Sequence, residues 1–248
     1  MSDVIGIQAV RAVLREAPQR ARSLFVQAGR RDARVNELIA LAQDAGVRHQ
    51  SVDHQWFRRR ADDTAHQGVL LECHELSMAS EGELFERLPG FGAQPLLLVL
   101  DGVTDPRNFG ACLRSASGAG VDAVIVPKRN SAPLSAVALK TAQGGAEDLF
   151  IVEVTNLARV LKALAQQNIW IIGTDGDAAM SYTDVDVGGG MAVVVGSEDK
   201  GLRRLTRELC DQLVSIPMRG SVASLNVSVA TGVVLFEVQR RRGATATP

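Results

Sequence analysis

The chain has 248 residues, of which 46% are apolar and 22% charged, and its formal net charge is −1. The length suits one large or two small domains, the composition excludes disordered and collagen-like classes, and the balanced charge excludes a general attraction of the whole molecule to nucleic acid. No apolar run is long enough to span a membrane and no signal-peptide pattern is present, so we expect a cytoplasmic protein with no membrane partner. The three cysteines are far apart, so we expect no disulfide framework and no metal site.

Residues 1–75 predict a small α/β unit. The elements, in chain order, are a helix with apolar positions 7, 10, 13 and 14, a strand at 24–26, a helix over 35–42, and strands at 47–52 and 69–73. Gly46 follows the second helix, where a C-terminal glycine is expected. Residues 76–94 are rich in glycine and proline and predict a linker, with one helical candidate at 81–88.

The first 60 residues contain eleven arginines against six acidic residues, and the run Arg58, Arg59 and Arg60 is part of this excess. A local positive face can bind phosphates although the total charge is near zero, because salt screens charge interactions beyond about 10 Å. A solvated arginine-rich surface is an equal alternative.

After Pro95 the chain predicts a parallel sheet covered on both faces, because its strands are continuous apolar runs. These runs lie at 96–100, 123–126, 150–152, 169–172 and 191–195, with a helix capped by Asn156 and a terminal helix over about 224–241. Ligands of such sheets bind beyond the carboxyl ends of the strands. The loops at those ends are therefore where we look for chemistry.

The first such loop follows Leu100 and leads into a helix that carries Asn108 and Arg114. Asn108 lies near the helix start, where its amide can cap the backbone or bind a ligand. Arg114 has small or apolar neighbours that suggest a partly covered surface, so it requires an anionic partner. A structural carboxylate and a substrate phosphate both satisfy this requirement.

The second and third loops follow residues 195 and 215. In the second, Gly196 lets a ligand approach the backbone, and Glu198 is expected where the next helix begins. The third loop, rich in serine, glycine and asparagine, has apolar walls and suits a flat heterocycle with polar edges. Ser224 is a candidate cap of the terminal helix, whereas Asn226 is expected just inside that helix, where its amide would bind a partner outside it.

Three stretches carry a family resemblance. They are residues 108–114 (NFGACLR), 196–202 (GSEDKGL), and 216–218 (IPM) followed by 224–228 (SLNVS). Together they resemble the ordered motifs of SpoU-type RNA ribose 2′-O-methyltransferases of the SPOUT superfamily. Residues 1–75, with the turn at 64–68 (TAHQG), are similar to the L30e-like substrate-binding domain of this group. The resemblance therefore covers essentially the whole chain.

The resemblance implies an α/β fold in three parts: an L30e-like RNA substrate-binding domain at 1–75, a linker at 76–94, and a SpoU methyltransferase domain at 95–248. The last part would have a parallel sheet and a deep trefoil knot, which is very rare. In the family, this domain binds S-adenosylmethionine and forms homodimers to which the terminal helix contributes. By resemblance, Gly196, Ile216 and Leu225 contact the cofactor through their backbone, and Met218 lines its pocket.

The resemblance also assigns a catalytic set: Asn108, Arg114, Glu198, Ser224 and Asn226. Arg114 resembles the residue proposed as the base in this family. Because an arginine normally stays protonated, with a pKa above about 12, we expect it instead to orient a phosphate and stabilise developing negative charge. Glu198 would fix this arginine or the substrate, and the other three would position groups by hydrogen bonds. No metal is required.

Within the family, the chain is most similar to bacterial enzymes that methylate a guanosine ribose in 23S rRNA, with the P loop of the peptidyl-transferase centre as the expected site. RNA binding is expected of Arg58, Arg59, Arg60 and His66, and the position of His66 in the N-terminal turn argues against a role as catalytic base. The alternatives are a tRNA 2′-O-methyltransferase and a catalytically silent RNA-binding protein of ribosome assembly. The complete motif set favours the rRNA enzyme.

Overall fold

The computed structural model describes residues 2–30, 32–61, 66–74 and 76–245. Thr64 and Ala65 of the turn motif and Arg31 of the basic segment lie outside the described residues. The chain forms two compact units: unit 1 comprises Met1–Ser77 and Leu134–Asp148, and unit 2 comprises Met78–Pro133 and Leu149–Pro248. Among the described helices, none is both long and apolar enough to cross a membrane.

Unit 1 contains one four-stranded sheet and four helices. In chain order they are β1 (Ser2–Ile5), α1 (Ile7–Glu16), β2 (Ala21–Gln27), α2 (Ala33–Asp44), β3 (Arg48–Val52), α3 (His54–Ala61), β4 (Val69–Cys73) and α6 (Ala136–Ala142). The strand order is β1-β4-β2-β3, with β2 and β3 parallel and the other pairs antiparallel. The predicted strands and helices of this region are confirmed, whereas β1, α3 and α6 were not predicted.

The sheet of unit 1 is covered on both faces because its strands alternate. Leu24 and Val26 pack with α1 and α2, whereas Phe25 between them packs with Phe57 of α3 on the opposite face. The segment 134–148 joins this unit through a buried ion pair between Arg20 and Glu147. Burial lowers the pKa of Arg20, because removing its charge from water is costly.

Unit 2 contains a seven-stranded parallel sheet with the strand order β7-β6-β5-β10-β8-β11-β9. Its elements are α4 (Glu81–Arg87), β5 (Leu96–Asp101), α5 (Pro106–Gly118), β6 (Ala123–Pro127), β7 (Phe150–Val154), α7 (Leu157–Gln166), β8 (Trp170–Thr174), β9 (Met180–Ser181), β10 (Met191–Gly196), α8 (Arg204–Glu208), β11 (Gln212–Ser215) and α9 (Val227–Thr245). All five predicted strands of the sheet are confirmed.

The core of unit 2 follows from its apolar strands. Every residue of β5, β6 and β10 is buried, as the continuous runs predicted. α4 and α7 pack on one face of the sheet, while α9 contacts both α5 and β10. Asn156 caps α7 by accepting a hydrogen bond from the backbone N–H of Arg159, at 3.0 Å, as predicted.

Two features of unit 2 differ from the sequence expectations. The terminal helix begins at Val227 rather than at 224, because Asn226 is the residue that accepts hydrogen bonds from its first turn. The helical candidate at 81–88 is confirmed as α4, begun by a Ser80–Glu83 capping box, but the segment does more than link two units, because Leu84 and Leu88 lie in the core of this unit. The domain boundaries at 75 and 94 stay predictions.

Candidate active site

The candidate site lies where neighbouring parallel strands end. β5 and β10 are paired in register, so that Asp101 at the end of one lies opposite Gly196 at the end of the other. The loops that follow these two strands therefore begin side by side, at the edge where parallel sheets bind ligands. They contain the first two sequence motifs, and the loop after β11 leads to the third.

The first loop positions Asn108 through a helix cap. Asp105 accepts hydrogen bonds from the backbone N–H groups of Arg107 and Asn108, both at 2.8 Å, and Pro106 occupies the first helical position. Because Asp105 caps α5, the Asn108 amide is not needed for capping. It is left to bond with the other loops.

A chain of three side chains joins the three motifs. Asn226 Nδ2 donates to Asn108 Oδ1 at 3.0 Å, and Asn108 Nδ2 in turn donates to Glu198 Oε1. The Oδ1 atom of Asn226 accepts from the backbone N–H and hydroxyl of Ser228, at 2.9 and 2.6 Å. The start of α9 thus fixes which way the Asn226 amide faces, and each following group is oriented by the one before it.

Two expectations about this chain were wrong in detail. Asn226 does not lie inside the terminal helix; it caps that helix and uses its other amide atom for Asn108. Glu198 does not begin a helix, because α8 starts only at Arg204. It lies in a tight turn in which Ser197 and Gly201 exchange two backbone hydrogen bonds, at 3.1 and 2.9 Å.

Gly196 is required by this turn. A Cβ atom at Gly196 would overlap the backbone of Gly201 and Leu202, which fold back onto the end of β10. Gly201 itself has a φ of +62°, a conformation that favours glycine. The absence of a side chain at Gly196 therefore serves the packing of the turn that carries Glu198, in addition to any approach of a ligand to its backbone.

An ion pair between a buried carboxylate and a half-exposed arginine, which the sequence analysis missed, ties the first two loops together. The Asp101 side chain is completely buried, and it accepts from Arg203 Nε at 2.5 Å and from the Arg203 backbone N–H at 3.1 Å. The available signal was an acidic residue at the end of an otherwise apolar strand, since a buried carboxylate needs a partner. Asp101 and Arg203 hold the loops on either side of the Asn108–Glu198 contact.

The loop 216–225 has the chemistry of a cofactor site. Within the described part of the chain, these residues form no hydrogen bond or ion pair with one another or with other residues. Its backbone donors and acceptors are thus available to a ligand, and the half-buried side chains of Ile216, Met218 and Leu225 offer apolar surface beside them. This donor set fits S-adenosylmethionine, which has a flat heterocycle and several polar groups.

Arg114 and Ser224 are outside the hydrogen-bonded chain. Both are exposed, so the partly covered surface expected around Arg114 is not found within this chain. Neither forms an ion pair or hydrogen bond with the described residues. Arg114 lies on a different face of α5 from Asn108, because the six positions that separate them rotate the helix by about 600°, which leaves the two side chains about 120° apart. Among the described residues no carboxylate pairs with Arg114, and Glu198 bonds Asn108 instead, so a substrate phosphate as the partner of Arg114 stays a prediction.

Cys112, between Asn108 and Arg114, is a packing residue. It is fully buried, and its Sγ lies 3.6 Å from Thr231 Oγ1 of α9. Burial raises the pKa of the Cys112 thiol to about 11, so the thiol stays protonated near neutral pH. It therefore supplies no thiolate nucleophile to the site. Across the described residues, no group of three or more His, Cys, Asp and Glu side chains could hold a metal ion.

The predicted RNA-binding arginines of unit 1 differ among themselves. Arg58 and Arg59 are exposed and have no ion-pair or hydrogen-bond partner among the described residues. Arg60 donates to both oxygens of Asp3, at 2.8 and 3.0 Å, and to Glu72 at 2.9 Å. These hydrogen bonds raise the pKa of Arg60. RNA binding stays a prediction for all three, and the geometry favours the first two.

His66 is part of a structural turn. Its ring stacks on Phe57 with centroids 4.5 Å apart, and its Nδ1 accepts from the backbone N–H of Gly68 at 3.0 Å. The neighbouring Gln67 side chain accepts from the N–H of Ile7 at 3.0 Å, at the start of α1. Burial, followed by the charges of His54 and Arg30, lowers the pKa of His66. An RNA contact by His66 stays a prediction.

Comparison with known proteins agrees with this geometry. Residues 95–236 match the SpoU rRNA Methylase family, and residues 4–79 match RNA 2′-O ribose methyltransferase substrate binding. A protein of Yersinia pestis named 23S rRNA (guanosine-2′-O-)-methyltransferase RlmB is 51% identical over 247 residues, covering 99% of this chain and 100% of the relative. The protein of the same name from Escherichia coli (strain K12) is 49% identical, covering 98% and 100%.

A solved structure supports the fold. The SpoU methyltransferase AviRb from Streptomyces viridochromogenes, in complex with the cofactor AdoMet, matches with a TM-score of 0.79 at 22% identity, over 98% of this chain and 90% of that one. The family match over more than half of the chain and the near-complete relatives at about half identity lead to one conclusion. The chain belongs to the SpoU rRNA methylase family.

Proposed function

We propose that this protein transfers a methyl group from S-adenosylmethionine to the ribose 2′-hydroxyl of a guanosine in 23S rRNA. The observation that carries the proposal is the hydrogen-bonded chain Asn226–Asn108–Glu198, which joins the three motif loops at the carboxyl edge of the sheet. The RlmB proteins of Yersinia pestis and Escherichia coli are named for this reaction and match the chain over nearly its full length.

The cofactor is assigned to the loop 216–225 and the end of β10. S-adenosylmethionine, when bound, supplies an electrophilic methyl group on a sulfonium leaving group. Ile216, Met218 and Leu225 provide the apolar surface, and Gly196, fully buried at the strand end, contributes its backbone. The solved AviRb structure contains the same cofactor in the same fold. The deep trefoil knot implied by the family resemblance is part of this proposal.

We assign the binding of a substrate phosphate to Arg114. Its guanidinium is exposed and has no carboxylate partner among the described residues, so it is free to bind an RNA phosphate. From that position it orients the ribose and stabilises negative charge that develops on the 2′-oxygen as the hydroxyl proton passes to solvent water. The 2′-oxygen takes the methyl group, and the electron pair of the broken sulfur–methyl bond stays on the sulfur. Most of the rate then comes from alignment, which supplies roughly 7 to 11 kcal/mol in well-oriented reactions.

The Asn226–Asn108–Glu198 chain holds the acceptor side of the site in one geometry. Glu198 Oε2 has no partner among the described residues, whereas Oε1 is held by Asn108. We assign Glu198 Oε2 and the exposed Ser224 hydroxyl to hydrogen bonds with the target nucleotide. Asn108 and Asn226 then act as positioning residues, through Glu198 and through the start of α9.

A double-mutant cycle on Asn108→Ala and Glu198→Gln tests this arrangement. A hydrogen bond to a charged group contributes about 1.5–3 kcal/mol, so each single change should lower kcat by about 10- to 100-fold, and the double change by little more. Independent, additive losses would contradict the chain. Asn156→Ala, which removes a cap of α7 outside the site, is the matched control for an amide deletion.

We also propose a homodimer formed through the C-terminal part of the chain. Val229 and Phe236 lie two turns apart on α9, so they share one helix face, and both are about half exposed. Large apolar side chains grouped on an exposed face favour a protein contact. Sedimentation equilibrium should give twice the chain mass. A monomer at micromolar concentration would contradict the dimer without affecting the proposed reaction.

The decisive experiment is a map of ribose methylation in cells lacking the gene. One 2′-O-methylguanosine of 23S rRNA should disappear, in the P loop of the peptidyl-transferase centre, and return with the wild-type gene. Loss of a tRNA mark with intact 23S rRNA would make the protein a tRNA methyltransferase. An unchanged map with defective ribosome assembly would make it a silent RNA-binding protein. The cytoplasmic location is proposed from the substrate.

A further inference from the structure

A basic loop borders the candidate site without contributing to any motif. It comprises residues 128–132, between β6 and α6, and includes Lys128, Arg129 and Asn130. The side chains of these three residues are exposed. Because β6 pairs with β5 in parallel, the loop emerges at the same edge of the sheet as the loop that leads to Asn108.

Direct contacts place this loop beside the catalytic loops. The backbone N–H of Ala132 donates to the carbonyl of Val103 at 2.8 Å. A Cβ atom at Gly102 would lie 3.7 Å from Ser197 Cβ and 4.0 Å from the Asn130 carbonyl oxygen. Gly102 therefore lies between the basic loop and the turn that carries Glu198, and its φ of +90° lets the backbone pass there.

The basic loop is also held in one conformation. The Lys128 backbone N–H donates to the Val154 carbonyl at 2.8 Å, and the Ser131 hydroxyl donates to the Pro127 carbonyl at 2.5 Å. Between these two points Asn130 adopts a φ of +59°, a left-handed conformation that asparagine tolerates. Two cations are thus displayed on an ordered backbone, which reduces the entropy cost of binding a ligand.

The positive charges of the basic loop are available to bind an anion. Arg129 forms no ion pair with the described residues, and the nearest carboxylate oxygen to Lys128 is that of Glu153, at 3.9 Å on the exposed surface. Such a pair contributes little to stability. Arg107 and Arg114, seven residues apart on α5, share one helix face, are exposed and have no ion-pair partner in the described chain. The acidic Asp105 side chain is occupied by the helix cap.

We infer that the basic loop, through Arg129 and Lys128, binds backbone phosphates of the RNA next to the methylated nucleotide. This inference rests on the proposed function and deepens it, because it assigns RNA capture to unit 2 as well as to unit 1. RNA phosphates bind exposed arginine and lysine through charge-assisted hydrogen bonds, with release of counterions. The carboxylate of S-adenosylmethionine is the other anion available here, and the experiment separates the two.

The test compares Arg129→Gln with Lys162→Gln. Lys162 is exposed and unpaired within the described chain, and lies on α7, which covers a face of the sheet. Each variant removes one positive charge, so the net charge of the two proteins is equal. Binding of a 23S rRNA fragment containing the target would be measured against salt, cofactor binding by calorimetry, and methylation by steady-state kinetics. The double variant Lys128→Gln/Arg129→Gln extends the series.

The slope of log affinity against log salt should become shallower by about 0.7–0.9 for each phosphate that a variant no longer binds. The wild-type protein would then lose about three times more RNA affinity than Arg129→Gln between about 50 and 200 mM salt. The loss should fall on KM for RNA more than on kcat, with cofactor affinity unchanged. Lys162→Gln should keep the wild-type slope.

Three results would overturn the inference. They are equal salt slopes for Arg129→Gln and Lys162→Gln, a loss confined to kcat, and a loss of cofactor affinity, which would assign Arg129 to the S-adenosylmethionine carboxylate. A wild-type protein that does not methylate the fragment would reject the proposed function instead. The direct binding measurement still tests the basic loop in that case.

Discussion

Many arginines of unit 1 are held by carboxylates, whereas three arginines beside the candidate site of unit 2 are not. In unit 1, six of the ten arginines that the structure describes among the first 60 residues have a carboxylate oxygen within 4.0 Å. At the carboxyl edge of unit 2, by contrast, Arg107, Arg114 and Arg129 have no such partner in the described chain. Unit 1 is thus rich in arginine, but the arginines at the carboxyl edge of unit 2 are more available to bind an anion.

This difference indicates that a local charge excess in a sequence is a poor measure of anion binding. An arginine already held by carboxylates has little to gain from a phosphate, since a new partner must replace existing hydrogen bonds. An unpaired arginine beside a ligand edge gains a partner without losing one. The following experiments test whether the paired cations stabilise the fold and the unpaired ones bind RNA.

Arg114→Ala should have the largest effect on activity. The loss of one preorganised donor to developing negative charge lowers kcat by about 100- to 1,000-fold. Because Arg114 is exposed and unpaired within the described residues, its removal should leave the free energy of unfolding and the affinity for S-adenosylmethionine unchanged. Single-turnover methylation, calorimetry and urea unfolding would measure the three quantities.

Arg204→Ala is the matched control, since Arg204 is an exposed arginine that pairs with Glu208 on its own short helix and with no other carboxylate of the described chain. It should methylate at the wild-type rate. If Arg114→Ala turned over at the wild-type rate, Arg114 would have no role in catalysis. If the variant lost much of its stability, Arg114 would have a structural partner and would not be an unpaired cation.

Arg203→Ala should have the largest effect on stability. Its removal leaves the completely buried Asp101 carboxylate without its charged partner. Because the Arg203 side chain is half exposed, we expect a loss of about 1.5–3 kcal/mol, the contribution of a hydrogen bond to a charged group. The free energy of unfolding in urea measures this loss, again with Arg204→Ala as control. Asp101→Asn should be milder because it removes the buried charge as well. A larger loss in Asp101→Asn than in Arg203→Ala would contradict the argument.

The sequence predicted the parts of the fold that depend on local pattern. The five sheet strands of unit 2 were identifiable because buried parallel strands are continuous apolar runs. β9 and β11 were missed because they are short and only partly buried. α3 was missed because its buried positions, Phe57 and Ala61, make only one turn of an apolar stripe.

The site could be predicted only in part, for a physical reason. The residues of the three motifs were identified by family resemblance, because no periodicity indicates that Asn108, Glu198 and Asn226 meet. An acidic residue at the end of an apolar strand indicates that Asp101 needs a partner, but no local pattern identifies Arg203 as that partner, or Glu147 as the partner of Arg20. The charge excess of residues 1–60 was visible, but the carboxylates that neutralise much of it are brought near by folding.

Within unit 1, we expect substitution of Arg60 to lower stability, and substitution of its neighbours Arg58 and Arg59 to weaken RNA binding. Arg60→Ala loses the hydrogen bonds to Asp3 and Glu72 and the contacts with the rings of Phe25 and Trp56, at 5.6 and 5.4 Å. We expect it to lower the free energy of unfolding by about 1–2 kcal/mol, the sum of a surface ion-pair network and a cation–π contact.

Arg58→Ala and Arg59→Ala should change stability by less than about 0.5 kcal/mol, as exposed substitutions usually do. They should instead weaken RNA binding most at low salt. Urea unfolding and a salt titration of RNA binding give both readouts for all three variants. If Arg60→Ala alone weakened RNA binding, the division between paired and unpaired arginines would not hold in unit 1.

His66 should give the smallest effect, because it acts only through the protonation of one side chain in the turn. Its pKa is lowered by burial and by His54 and Arg30, so below about pH 6.5 the unfolded chain binds a proton that the folded chain resists. The stability of unit 1 is therefore complete above that pH and falls as the pH decreases through the lowered pKa of His66. His66→Asn keeps an acceptor for the Gly68 N–H without the titration and should flatten this dependence, whereas His49→Asn, at an exposed position of β3, should not. Urea unfolding between about pH 5 and pH 8 measures the pH dependence of the free energy of unfolding for each variant. If His66→Asn keeps the wild-type pH dependence, the histidine does not couple folding to protons.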